Sequence, residues 1–327
     1  MEIKKKKYNP VSIIMPMRDN ETTIVQSLES IEKQNYPIDQ VVIIDDGSKD
    51  NSNKIVKAFS KKTRLKITLI TRKKNGGLGS SFNIGVKKTA SSFVILFHSD
   101  CALSSNNEIK KITDPFRKDS TVLATYPTIE LPLSVWNTYG FWEKCLFSRI
   151  AGRGYAGPTS KFDCIKRDVY LQVGGFDTVN FSVGGEDMDF AEKISRKGKF
   201  VLSKAKATHL HYLGDDFTFQ EFLRKQKQYT MAYGRLLRRR PQLFLGKSSI
   251  FLLKPFLALL PLLPILNIIG VPLLFLYGFF LTQRMFLTKS NYSNWRIVCL
   301  LFVNIFLIYY ETFWMVASFL FGENKVS

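Results

Sequence analysis

The chain has 327 residues, room for one large domain or two ordinary ones, and its 47 lysines and arginines against 27 aspartates and glutamates give a formal charge of +20. That excess calls for an anionic partner: nucleic acid, anionic lipid or a phosphorylated substrate. The four cysteines, Cys101, Cys145, Cys164 and Cys299, make no C-x-x-C pair, so neither a zinc site nor a disulfide framework is indicated. A reducing surrounding is expected for the part before residue 247.

Lys4 to Lys7 lead into a strand of only about five residues, too short for the apolar core of a signal peptide. That strand is Val11 to Met15, ended by Pro16. Ile24, Leu28 and Ile31 follow at helical spacing, with Thr22 or Thr23 as the cap. Val41 to Ile44 is a second strand running into Asp45-Asp46-Gly47-Ser48, and a helix opened by Asp50 and Asn51 carries Ile55, Val56 and Phe59. Lys66 to Thr71 is a third strand, Asn75-Gly76-Gly77 a turn, and the next helix runs through Phe82 and Val86. Phe93 to Phe97 is an unbroken apolar run, a strand buried on both faces, and stops at His98-Ser99-Asp100. Four alternations of strand and helix indicate an α/β fold with a parallel sheet and right-handed crossovers.

Parallel sheets of this kind bind ligands beyond the carboxyl ends of their strands. A dinucleotide fingerprint is absent: the first strand leads into Pro16-Met17-Arg18-Asp19-Asn20, and Gly77-Leu78-Gly79 reaches Phe82 where a third glycine is needed. No Walker loop occurs either. The strand ends are acidic instead, with Asp19, Asp45, Asp46 and Asp100. Asp100 either holds a divalent cation against an anionic ligand or caps the next turn.

Thr121 to Tyr126 reads as another strand, and 133–150 as an aromatic-rich amphipathic helix that packs on the core or meets a membrane surface. After Gly174-Gly175-Phe176-Asp177 comes Gly184-Gly185-Glu186-Asp187, opening a helix to Lys197. Its carboxylates either favour the helix dipole or supply a base at a pocket edge. His209 and His211 lie on one side of a strand, as a structural pair or with one of them on a metal. A basic, aromatic helix from Phe217 to Leu237 runs into Arg238-Arg239-Arg240, which reads as contact with anionic head groups.

The end of the chain differs in kind. Between Ser249 and Thr282 the only charge is Lys254, and between Ile297 and Leu320 the only charge is Glu311. The second run is one membrane span. The first is too long for one upright helix and holds Pro255, Pro261, Pro264, Gly270 and Pro272, so it is expected to turn near Pro264 to Gly270 as two helices or a re-entrant hairpin. Basic residues on both flanks put both of its ends on the cytoplasmic side. An integral protein of the cell membrane is expected, with residues 1–240 facing the cytoplasm and 241–327 forming the membrane domain.

Residues 11 to 240 resemble the family 2 glycosyltransferases. The resemblance is carried by Val-Ser-Ile-Ile-Met-Pro at 11–16, Val-Val-Ile-Ile-Asp-Asp-Gly-Ser-Lys-Asp at 41–50, Asn75-Gly76-Gly77 with Asn83-x-Gly85, His98-Ser99-Asp100, and Gly174-Gly175-Phe176-Asp177 followed by Gly185-Glu186-Asp187. It implies a GT-A fold and a UDP- or GDP-sugar donor. Pro16, Arg18 and Asp46 would surround base and ribose, Asp45 would support the loop, and Lys74 would meet base or phosphate. Asp100, beside Ser99, would match the last carboxylate of the family's D-x-D and hold Mn²⁺ or Mg²⁺, joined by His209 or His211 with His209 preferred. Asp187 would be the base, with Glu186 beside it. Two positions depart from the pattern: His98 replaces the first D-x-D carboxylate, and Phe82 stands where an arginine is frequent.

The expected protein is a membrane-bound inverting glycosyltransferase acting on a lipid-linked or glycan acceptor near the membrane, in contact with membrane lipids and not with nucleic acid. A processive polysaccharide synthase is disfavoured because no Gln-x-x-Arg-Trp follows the histidines. In a nucleic-acid-binding protein the carboxylates at the strand ends would repel phosphates without a metal, and a non-enzymatic membrane scaffold would be excluded by loss of activity in Asp187→Asn with donor binding intact.

Overall fold

The computed structural model describes residues 9–147, 150, 152–181, 184–210, 217–245, 252–287 and 294–322. Contacts divide the chain into two compact units: Met1–Pro132, Gly152–Ser182 and Glu186–Tyr212 in the first, Leu133–Ala151, Val183–Gly185 and Leu213–Ser327 in the second.

The first unit is built on one nine-stranded sheet. Its parallel half comprises β1 (Val11–Met17), β2 (Ile38–Asp45), β3 (Ile67–Thr71) and β4 (Phe93–Phe97) in the order β3-β2-β1-β4. Helices α1 (Ile24–Glu32), α2 (Ser52–Ser60) and α3 (Leu78–Lys87) are the crossovers. Every residue of β1 is buried, because helices cover both faces of a parallel sheet. Helix α3 lies so close to β1 that a Cβ at Gly85 would stand 2.2 Å from Ile14 Cγ2. Thr23 sits at the N-cap of α1 as expected, but its hydroxyl donates to the Ser99 carbonyl rather than capping the helix.

Beyond β4 the sheet becomes mixed. It continues through β5 (Cys101–Leu103), β6 (Val122–Glu130), β7 (Gly154–Ala156), β8 (Phe162–Lys166) and β9 (Lys199–His209), ordered β4-β8-β6-β9-β5 with β7 on β6. Two antiparallel registers matter for the site: β4 with β8 pairs Phe97 with Phe162, and β5 with β9 pairs Cys101 with His209. Helices α4 (Glu108–Lys118), α7 (Arg167–Gln172) and α8 (Glu186–Ser195) complete this unit.

In the second unit the aromatic stretch forms two short helices, α5 (Leu133–Asn137) and α6 (Phe141–Phe147), rather than one, and Trp142 packs on Phe219 and Phe222 of α9 (Phe219–Arg239). The long apolar run breaks at Pro261 and Pro264, into α10 (Leu253–Leu259), a 3-10 turn at Leu260–Leu262, and α11 (Asn267–Leu287), which holds Gly270 and Pro272 within it. The last helix, α12 (Asn294–Phe321), holds the one stretch among the described residues long and apolar enough to cross a membrane, Trp295–Phe321. Small residues let α9 and α12 meet: a Cβ at Gly234 would stand 2.3 Å from the Met315 carbonyl, and Ser318 donates its hydroxyl to the Met231 carbonyl. Lys254 and Glu311, the lone charges of the two apolar runs, form an ion pair.

Candidate active site

Three loops at the carboxyl ends of β1, β2 and β4 carry the acidic residues. Asp45 ends β2 buried, its carboxylate accepting from the Ser48 amide at 2.9 Å and the Asn53 side chain at 2.7 Å, so it braces the turn at Gly47. Asp46 is also buried. It accepts from the amides of Gly76 (3.0 Å) and Gly77 (2.9 Å) and pairs with Arg72 Nη1 at 2.9 Å. The Asn75-Gly76-Gly77 turn is thus moulded on the Asp46 carboxylate; Gly77, at φ +84, takes a conformation that a side chain would strain. Pro16 is buried within β1, opposite Ile44. Arg18 is half-exposed and 3.5 Å from Asp19, and Lys74 is exposed. Arg72, two residues before Lys74, is the cation that meets the predicted nucleotide loop, and sequence reading passed it over.

The glycine motifs have a joint structural task. Asn83 Oδ1 accepts from Tyr170 Oη (2.7 Å) and the Phe176 amide (3.0 Å), and its Nδ2 donates to the Phe176 carbonyl (2.9 Å). This clamps the Gly174-Gly175 turn, where Gly175 has φ +66 and a Cβ would sit 2.3 Å from Asn83 Oδ1. Phe82 is fully buried, stacked on Phe176 (centroids 5.5 Å) and 6.0 Å from the His98 ring. The two positions that depart from the family pattern are therefore neighbours, an aromatic ring beside an imidazole.

The β5–β9 register brings His209 to Asp100, Nε2 to Oδ2 at 3.2 Å. Asp100, Cys101 and His209 offer ligand atoms all within 4.8 Å of one another. A separation near 3 Å is what two donors on neighbouring corners of one metal shell adopt at bond lengths of about 2.1 Å. The donor set fits a divalent cation. Cys101 contributes least to it: burial, helped by the Asp100 charge, pushes its thiol well above the usual range, and it packs in the apolar core. Ser99 has its hydroxyl on Asn20 Oδ1 at 2.7 Å and its carbonyl held by Ser27, tying this loop to α1. His211 lies outside the described residues.

The β4–β8 register brings a second group of residues to the same place. The amide of His98 donates to the Lys161 carbonyl at 3.2 Å. Burial alone would push the Lys161 ammonium down, but Tyr155, Cys101, Asp100 and Asp187 around it push it further up, so it stays charged. Asp187, in the first turn of α8, is raised by burial, with the Lys161 cation and the Met188 amide (2.8 Å from Oδ1) opposing the rise. Asp163 is buried, and burial together with the charge of Asp187 pushes it up to about 8. Glu186 precedes Asp187 at the helix start. Lys161, Tyr155 and Asp163 were not foreseen: they lie on or beside short strands whose antiparallel pairing leaves no periodic mark in the sequence.

The family model described as "Glycosyl transferase family 2" matches residues 12–164. Among curated relatives, the probable glycosyltransferase YdaM of Bacillus subtilis is 24% identical over 192 residues, 53% of this chain and 44% of that protein. Glycosyltransferase GlyG of Streptococcus pneumoniae is 26% identical over 96 residues, 29% of this chain and 32% of its own. The chain thus spans less than half the length of these curated relatives. Among solved structures, the mannosyltransferase PcManGT of Pyrobaculum calidifontis, in complex with GDP-Man and Mn²⁺, superposes with a TM-score of 0.63 at 18% identity, covering 94% of this chain and 88% of that one. Its likeness shows the fold. The fold is thus GT-A, and residues 12–164 are similar to the family 2 glycosyl transferases.

Proposed function

We propose that this protein is a membrane-bound inverting glycosyltransferase that moves a sugar from a UDP- or GDP-sugar to a lipid-linked or glycan acceptor at the membrane, with residues 1–240 catalytic and 241–327 anchoring. The observation that carries the reading is the convergence of Asp100, His209, Lys161 and Asp187 at the carboxyl edge of the sheet, in a domain similar to that family. Asp100 and His209 would hold Mn²⁺ or Mg²⁺, which when bound neutralises charge on the donor's diphosphate. Asp46 and Arg72 shape the loop against which base and ribose would rest, with Pro16, Arg18, Asp45, Lys74 and Ser99 around it. Asp187 takes the proton of the acceptor hydroxyl as its oxygen bonds to the anomeric carbon. The bond from that carbon to the diphosphate oxygen breaks, the bonding pair leaves with the nucleoside diphosphate, and the anomeric centre inverts. Burial makes Asp187 a stronger base than an exposed aspartate, and the Lys161 cation opposes that rise.

A membrane setting is supported by Trp295–Phe321 and by the outward apolar residues of α10 to α12, such as Phe256, Ile268, Phe280 and Phe313. Within the second unit, a cavity of about 360 Å³ bordered by Lys254, Glu311, Asn304 and Tyr233 suits part of an apolar chain with a polar head. The test is to incubate membranes holding the full chain with a panel of nucleotide-sugars, with and without Mn²⁺, and to assay release of nucleoside diphosphate. Metal-stimulated release that needs a lipid extract is expected. No release with any donor in the presence of metal and lipid overturns the reading.

A further inference from the structure

The excess of positive charge is unevenly spread. From Asn51 to Ser99 the chain holds eleven lysines and arginines and no aspartate or glutamate, more than half of the net +20. The donor site proposed above takes Arg72 and Lys74. Lys87 and Lys88 end α3, which packs on the opposite face of the sheet from α2. The others gather on one flank of the first unit.

Helix α2 and strand β3 lie side by side and run in opposite directions: Asn53, at the start of the helix, donates its side chain to Thr71 Oγ1, at the end of the strand, at 2.9 Å. β3 is the edge of the sheet and pairs with β2 alone. Ile55, Val56 and Phe59 of α2 pack on the core, which leaves Lys54, Lys57 and Lys61, three and four residues apart, exposed in one row. Lys62 and Lys66 are exposed on the turn into β3, and Lys73 just beyond its end. A basic face thus follows α2 over its whole length, about 14 Å. The carboxylates at its rim are engaged by the chain itself. Asp50 accepts from the Ser52 and Glu21 amides, Glu21 from the Asn51 amide, and Glu32 from the Thr63 hydroxyl and the Arg64 amide. None of Lys57, Lys61, Lys62 and Lys66 has a carboxylate partner among the described residues. Lysine guards edge strands, and a helix dipole favours a cation in its last turn. Neither device calls for the loss of every acid over the whole stretch, and Lys57 and Lys61, four residues apart, repel one another. A face of one sign attracts a partner of the other.

The residue types select that partner. Phe59 is the one aromatic residue between Asn51 and Ser81 and packs on the core, so no ring is offered for a base to stack on. Arg64 donates to the Glu32 carbonyl and Arg72 pairs with Asp46, so neither guanidinium is spare to read a duplex. What remains is a row of lysines, point charges on flexible stems that suit a diffuse negative surface. In the membrane reading the same chain places Trp295–Phe321 in a bilayer, and a tether of this kind turns weak attractions into lasting contact.

We propose that the α2–β3 flank rests on a bilayer of anionic phospholipid through Lys57, Lys61, Lys62 and Lys66, with Lys54 and Lys73 beside them. Each lysine held near such a surface raises affinity about fivefold. Lys73 leads through Lys74 into the Asn75-Gly76-Gly77 turn moulded on Asp46, so this contact brings the donor loop to the head groups. The inference takes the tether from the membrane reading and nothing from the transferase reading.

The test reconstitutes the full chain in nanodiscs of phosphatidylcholine, with and without about 30% phosphatidylglycerol, and measures the acetylation rate of each lysine by mass spectrometry. Phosphatidylglycerol is expected to slow Lys57, Lys61, Lys62 and Lys66 at least about threefold and to leave Lys118 of α4 and Lys204 of β9 unchanged, and about 0.5 M salt is expected to restore the rates. In the variant carrying Lys57→Gln, Lys61→Gln, Lys62→Gln and Lys66→Gln together, Lys54 and Lys73 should lose their protection; the same four changed to arginine should keep it. Nucleoside diphosphate release in phosphatidylcholine should stay within about twofold for both variants, since none of the four lysines borders the donor loop. Equal rates in the two lipids, slowing of Lys118 and Lys204 alike, or protection by duplex DNA or polyglutamate with none from phosphatidylglycerol overturns the proposal. A chain that does not enter nanodiscs overturns the membrane reading instead; flotation with vesicles of the same two compositions then reads the flank alone, and equal flotation with both overturns it. Absence of nucleoside diphosphate release counts against the transferase reading and leaves the labelling result intact.

Discussion

Asp163→Asn isolates one buried carboxyl whose pH dependence has a definite sign. Burial pushes Asp163 up to about 8 from an ordinary value of 3.8, so its folded pKa lies above its unfolded one. Between those values the unfolded chain has lost a proton that the folded chain keeps, and stability falls as pH rises. At about 1.4 kcal/mol per unit, the group costs roughly 2 kcal/mol at pH 5 and on the order of 4 kcal/mol at pH 7. Asparagine carries no such cost and can still accept the Ser160 amide. Its amino group would meet the place of Asp163 Oδ1, which has no hydrogen-bond partner, at a penalty of about 1–3 kcal/mol. The variant is therefore expected to lie within about 1 kcal/mol of the wild type at pH 5 and to be more stable by about 1–3 kcal/mol at pH 7. Thermal and guanidinium unfolding of the full chain in micelles, at pH 5, 6, 7 and 8, reads the divergence. Parallel pH profiles for the two proteins, or a variant less stable at pH 7, would refute the reasoning.

Asp187→Asn is expected to lower kcat by about 10²–10⁴ while donor affinity, read by titration of the nucleotide-sugar, stays within about twofold. Lys161→Met removes the cation that holds Asp187 down, so the acid limb of the kcat/KM profile should move to higher pH; a base must be deprotonated to act, and its loss of activity on acidification begins sooner when its pKa rises. Lys254→Met strands Glu311 and is expected to cost about 3–5 kcal/mol in thermal unfolding, whereas Lys254→Met with Glu311→Leu should recover most of that loss.

The parallel half of the sheet was legible because its strands are unbroken apolar runs separated by helices of clear period, and β4 came out at Phe93–Phe97 as expected. Of the mixed half, only β6, expected at Thr121 to Tyr126, and the strand carrying His209 were legible. β5 has three residues and β8 five, and their partners are distant in sequence, so no local pattern announces which residues face each other. Asp100, His209 and Asp187 stood out in the sequence because each residue type is scarce or chemically marked where it stands, and the fold brings Asp100 and His209 within 3.2 Å. Lys161 and Asp163 were missed because a lysine and an aspartate before and within a short strand read as a solvated edge; only the pairing of β8 with β4 puts them inside. The glycine motifs were read as a turn and as marks of the resemblance; in the fold Asn83 spends its hydrogen bonds on the turn at Gly175 and Phe176. Helix 133–150 was expected as one piece and is two, parted at Thr138 to Gly140, because the backbone turns where Gly140 donates its amide to Glu143 rather than to the preceding helix.

On the proposed membrane reading, the pairing of Lys254 with Glu311 also imposes an order of events on biosynthesis. The two residues are 57 positions apart, so at about 5–20 residues per second Lys254 is made roughly 3–11 s before its counter-charge exists. During that interval a lone ammonium on an apolar helix resists the bilayer by about 2.5–3.5 kcal/mol, and α10 has reason to wait at the interface. The arrival of α12 brings the carboxylate and with it the means for α10 to settle. In the membrane reading, α12 is the helix that admits α10.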